Sequence, residues 1–118
     1  MVNVEWIRCQ SDQWCAFGNV DLQNNHFSEL SGVYIIWHGG QQPRVVYVGQ
    51  GNIRERIQAH RSEKAFAAYD SYGLFVTWAR VNPSQQSGVE CFLYDTYRPL
   101  LGERTPDVQP IQVNAPWG

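Results

Sequence analysis

Two apolar stretches rich in β-branched and aromatic residues lie close together near the middle of the chain. The first, Gly32-Val33-Tyr34-Ile35-Ile36-Trp37, ends at His38-Gly39-Gly40, and the second is Val45-Val46-Tyr47-Val48-Gly49. A polar stretch containing Pro43 separates them, a pattern that predicts a β-hairpin with a longish turn. Directly after the second strand, Asn52 stands as a helix N-cap with Glu55 three positions on, and Ile53, Ile57 and the run AHRSEKAFAAY predict a helix from about residue 52. Leu74 to Val81 reads as a third strand, led in by Tyr72-Gly73. Asn82-Pro83 then opens another helix, with proline in its first position. Val89, Phe92, Leu93 and Leu100 recur near the helical period and form its expected buried stripe, with Glu90 at the stripe's edge; Pro99 ends regular helix near Tyr97 or Arg98.

The flanks are less periodic. Val2, Val4 and Trp6 alternate as in an edge strand, whereas WCAFGNVDLQNNHF has no clear period. From Thr105 the chain carries Pro106, Pro110 and Pro116 and reads as an extended surface tail. The expected organisation is one domain over residues 1–118: an N-terminal extension (1–28), a core (30–102) and a proline-containing tail (103–118).

With 118 residues there is room for one hydrophobic core, and 43% hydrophobic with 14% aromatic residues makes an ordered domain the default. No stretch reaches the roughly 18 to 20 apolar residues that cross a bilayer, and the N-terminus has no export pattern, so the expectation is an intracellular, cytoplasmic protein without membrane contact. The three cysteines, Cys9, Cys15 and Cys91, are odd in number and lack C-x-x-C spacing. They are expected to be reduced, partly buried thiols.

Nine Lys and Arg against eleven Asp and Glu give a formal net charge of −2, which argues against coating nucleic acid by bulk charge. The charge is uneven, however: residues 1–43 carry −3, residues 44–64 carry +3 and residues 65–118 carry −2. A polyanion would be drawn to the middle block.

That block also holds the candidate chemistry. The strand, glycine turn and helix at Tyr47-Val48-Gly49-Gln50-Gly51-Asn52 form an anion site, because the first N–H groups of a helix lack intrahelical partners. A dinucleotide fingerprint fails, since its third glycine would fall at Arg54, and no GK[ST] completes a Walker A loop. Arg56 and His60, four apart, share a helix face. Gly49, Gln50, Arg54, Arg61 and Lys64 are the candidate phosphate contacts around them, and Tyr34 and Tyr47 lie on adjacent hairpin strands. A serine hydrolase lacks G-x-S-x-G, and neither Cys15 nor Cys91 has a histidine at supporting spacing. His26 and His38 fall in expected loops, and the tryptophans are mostly core.

The ordered set Gly32-Val33-Tyr34, Tyr47-Val48-Gly49, Arg56, His60 and Glu90 resembles the GIY-YIG nuclease family over roughly residues 32–100. The resemblance implies a small α+β sandwich: a three-stranded antiparallel β-sheet flanked by helices, here with an N-terminal extension. It further implies an endonuclease that hydrolyses phosphodiester bonds in nucleic acid, DNA in preference to RNA, with one divalent metal ion, Mg²⁺ or Mn²⁺. By the same resemblance Glu90 is the metal's single protein ligand, Arg56 holds the scissile phosphate, and one of Tyr34 and Tyr47 helps orient or deprotonate the attacking water, assisted by the cation, the metal or His60. Gly49 would admit the substrate backbone. The chain departs from the family in having no Asn soon after the glutamate helix, the next being Asn114. A targeting protein partner would supply specificity that one small domain lacks, and a non-catalytic nucleic-acid or protein binding module on the same fold is the alternative.

Overall fold

The computed structural model describes residues 1–117. Its strands are β1 (Cys15–Ala16), β2 (Ser31–His38), β3 (Arg44–Asn52) and β4 (Leu74–Arg80), and its helices are α1 (Ile53–Arg61), α2 (Lys64–Ala67) and α3 (Pro83–Tyr97). They assemble as an α+β fold around one antiparallel sheet of order β1-β4-β2-β3. The expected three strands are present with β2 at the centre. Because β2 is covered on both faces, its run Gly32–Trp37 is apolar throughout instead of alternating.

Successive side chains of the sheet feed two cores. Tyr34, Ile36, Val46, Val76 and Trp78 face α1, α2 and the N-terminal extension, packing with Ile53, Ile57 and Phe66. Val33, Ile35, Val48 and Ala79 face α3 and the tail, packing with Val89, Leu93 and Val113. The caps form as the sequence suggests: the Asn52 side chain accepts from the Glu55 amide, and Asn82 accepts from the Ser84 amide. Past Tyr97, α3 stops at Arg98, which takes a left-handed conformation (φ 46°) just ahead of Pro99.

Five expectations need correction. The sheet has four strands, because the extension adds β1 to β4 with Cys15 opposite Val76 and Ala16 opposite Phe75; a strand of two residues is too short to leave a period. Val2, Val4 and Trp6 do turn inward, yet they meet the tail and not the sheet: Val2 bridges Val113, and Val4 exchanges hydrogen bonds with the Asn114 side chain. Cys9 and Cys15 are joined in a disulfide, leaving only Cys91 as a free thiol, buried on α3. The expected single helix beyond Asn52 breaks at Ser62-Glu63, where Glu63 turns extended (φ −91°, ψ 129°).

The fifth concerns the tail, which is part of the fold. The Leu100 and Leu101 amides donate to the carbonyls of Val45 and Val46 along the outer edge of β3. Further on, the Ile111 amide donates to the Gly88 carbonyl, and a Cβ on Gly88 would collide with the Ile111 side chain. No helix among the described residues is long and apolar enough to cross a membrane.

Candidate functional site

The end of β3 carries the cluster. Tyr34 stands directly opposite Gly49 in the hairpin, and its phenol lies where a Cβ on Gly49 would have to be. The glycine therefore makes room for Tyr34, and the space expected for a substrate backbone is filled by that ring. Gly32 has a comparable steric reason: a Cβ there would run into the Ala79 carbonyl of β4. Tyr47, one turn of the pleat away on the same face, stacks beside Tyr34 with ring centroids 6.1 Å apart.

Below them, α1 presents Arg56 and His60 one helical turn apart. The Tyr34 hydroxyl sits between the two, 2.7 Å from His60 Nε2 and 3.3 Å from Arg56 Nε, which donates to it. On its far side, the His60 ring lies 2.9 Å through Nδ1 from Glu63 Oε1 and packs on Phe66. His60 is buried at 2% exposure, and Tyr34 is fully buried. Burial, and next the nearby Arg56 charge among the lowering influences, depresses the imidazole pKa below its ordinary 6.5, while Glu63 pulls the other way. For Tyr34, burial raises the phenol well above its ordinary range despite the Arg56 hydrogen bond. A buried phenol so disinclined to ionise is suited to fixing its neighbours. Tyr47 is partly exposed, packs on His60 and Phe66, and also interacts with Arg56.

Glu90 reaches this edge from the opposite layer, on α3. Burial raises its carboxyl pKa, while hydrogen bonds from Thr105 and Gln50 and the Arg56 charge act against that rise. The Thr105 hydroxyl donates to Glu90 Oε1 at 3.1 Å. Gln50, in turn, donates to the Ser87 hydroxyl on α3 at 3.0 Å. Tyr34, Tyr47, Arg56, His60, Glu90, Gly49 and Gln50 are thus gathered at one strand end, with α1 contributing from one face of the sheet and α3 from the other.

The remaining basic candidates are placed elsewhere. Arg54 donates to the carbonyls of Leu22 and Asn24, and Arg61 to those of Phe17 and Val20, so both clamp the N-terminal extension onto α1. Lys64 is exposed at the start of α2. Sequence reasoning missed two participants, Glu63 and Thr105. The first carried a readable signal, an acid three residues after His60; the second had none, because its contact with Glu90 depends on the path of the tail. Concavities of about 580 Å³ beside Cys9, His26 and Trp78 and about 450 Å³ beside Trp37, Tyr97 and Trp117 include none of the clustered residues.

The donor set limits what cation could be held. Both nitrogens of His60 are engaged, and no group of three or more His, Cys, Asp or Glu is gathered among the described residues. What is left is one carboxylate, Glu90, flanked by hydroxyl and amide oxygens. Such a set fits a hard ion that keeps most of its waters. Comparison of the chain with protein-family models, with curated proteins and with solved structures finds no match in any of the three.

Proposed function

We propose that this chain is a divalent-metal-dependent nuclease of the GIY-YIG type, which hydrolyses phosphodiester bonds in nucleic acid. The observation that supports this reading is that a fixed cation, Arg56, hydrogen-bonded to Tyr34 beside Tyr47 and a buried histidine, is close enough to the partly buried Glu90 carboxyl for its charge to act on it. In this reading Arg56 binds a non-bridging oxygen of the scissile phosphate, a task for a guanidinium that stays protonated and offers several donors. Its Nε–H is spent on Tyr34, so the terminal nitrogens are the ones directed to phosphate. Glu90 holds Mg²⁺ or Mn²⁺, which when bound supplies charge neutralisation at the phosphate and an acidified water. Tyr47, the less buried of the two tyrosines, orients the attacking water, and Tyr34 with His60 holds Arg56 in place.

The test is incubation of purified protein with labelled single-stranded, duplex and branched DNA and with RNA, each with Mg²⁺ or Mn²⁺. Cleavage by the wild type and its loss in Glu90→Ala is the expected result. Binding without turnover by the wild type would replace this reading with that of a binding module. Undiminished cleavage by Glu90→Ala would remove Glu90 from the mechanism.

A further inference from the structure

We propose that Glu63 is a positioning residue that locks His60 in its Nδ1–H form and thereby fixes the direction of the Tyr34 hydroxyl and, through it, of Arg56. The proposal rests on the nuclease reading for its kinetic consequence only; the lock itself is a property of the folded chain.

The polarity of the chain of contacts follows from what each atom can do. An ionised carboxylate only accepts, so the 2.9 Å contact to Glu63 Oε1 requires a proton on His60 Nδ1. In a neutral imidazole, Nε2 is then an acceptor, and the 2.7 Å contact requires the Tyr34 hydroxyl to donate to it. With its proton committed, the Tyr34 oxygen turns its lone pairs outward and accepts from Arg56 Nε at 3.3 Å. Each link leaves the next only one choice. A doubly protonated ring would break the sequence, because the Tyr34 proton, fully buried, would be left without an acceptor. The groups that face His60 are Tyr34 on β2, Tyr47 on β3, Arg56 on α1 and Glu63 at the start of α2; Glu63 is the only anion among them.

The backbone supports the same assignment. Nothing in the run His60-Arg61-Ser62-Glu63-Lys64-Ala65 forbids a continuous helix, yet the chain breaks at Ser62-Glu63. Glu63 then occupies the N-cap position of α2, where an acidic side chain normally accepts from the first free amides. It makes no such bond; its carboxylate reaches back to the imidazole instead. A side chain that leaves its own helix uncapped in order to meet a buried ring is placed for that ring.

The test uses ¹⁵N-labelled wild type, Glu63→Ala and Glu63→Gln. Long-range ¹H–¹⁵N correlation of His60 should show a protonated Nδ1 and a bare Nε2 in wild type, a mixed signature in Glu63→Ala, and return toward the wild-type pattern in Glu63→Gln, whose amide oxygen still accepts. In cleavage assays Glu63→Ala should lose at least about tenfold in kcat with KM within about twofold, and Glu63→Gln should recover part of the loss. A protonated Nε2 in the wild type, or a Glu63→Ala protein whose His60 signature is unchanged, would overturn the proposal. A normal lock in a wild type that cuts no substrate would instead sink the nuclease reading and leave the lock standing. An altered signature with unchanged kcat would show that Arg56 does not depend on it, which also overturns the proposal.

Discussion

At the scale of single residues, this site is shaped as much by what is missing as by what is present. Gly49 has no side chain, and Tyr34 uses the vacancy to bring its hydroxyl between Arg56 and His60. Gly49→Ala should therefore destabilise the protein by about 1–3 kcal/mol, the usual cost of overpacking a rigid interior, measured by denaturant unfolding. Arg56 is the counterpart, a residue whose replacement leaves the packing largely intact. Arg56→Lys keeps the charge but loses the planar fork, one donor of which is already committed to Tyr34. Cleavage should fall by ~100-fold, the scale seen when one transition-state donor is removed. Retention of near wild-type activity by the lysine variant would mean that Arg56 acts only as a diffuse positive charge.

Among the elements, the sequence made legible those with internal periodicity or a capping signal. β2, β3 and β4 announce themselves by β-branched runs, and α1 and α3 by Asn caps that the structure bears out atom by atom. The approach of Arg56 to His60 was equally readable, since spacing alone puts them on one face. What escaped was whatever depends on distant partners. β1 has two residues and owes its form to β4; the tail owes its course to β3 and α3; and the Glu63 break follows no local rule of propensity. The disulfide escaped because an odd count of cysteines spoke against it, although Cys9 and Cys15 lie six apart with Cα atoms 5.1 Å from each other. By loop-closure entropy it contributes about 2 kcal/mol. Unfolding should shift by that amount on adding reductant, with Cys9→Ser insensitive to it; an unchanged wild-type midpoint would mean that the thiols are free in solution.

For the whole molecule, the buried histidine couples stability to pH. An unfolded His60 takes up its proton near 6.5, while the folded site resists it because the ring is out of water. Below about pH 6.5 the unfolded chain binds more protons than the native one, so stability should decline as pH falls through that region. Glu90 works in the opposite sense: its carboxyl is raised in the folded state, and acidification toward 4.5 relieves the cost of its burial. His60 therefore contributes an upward slope with pH to the unfolding free energy measured between pH 6 and 8, and His60→Gln should reduce that slope. Partial cover on both sides of the sheet has one more effect at this scale. The amides of Leu100 and Leu101 occupy carbonyls along the outer rim of β3, while β1 and the Ile7 amide cover β4. Part of each rim is thereby withheld as a template for a strand from another molecule, which works against edge-to-edge aggregation. Removing residues 100–117 would expose β3, whose run Val45-Val46-Tyr47-Val48 is uncharged and strongly β-forming. The tail thus serves as a guard against fibril growth as well as a support for Glu90.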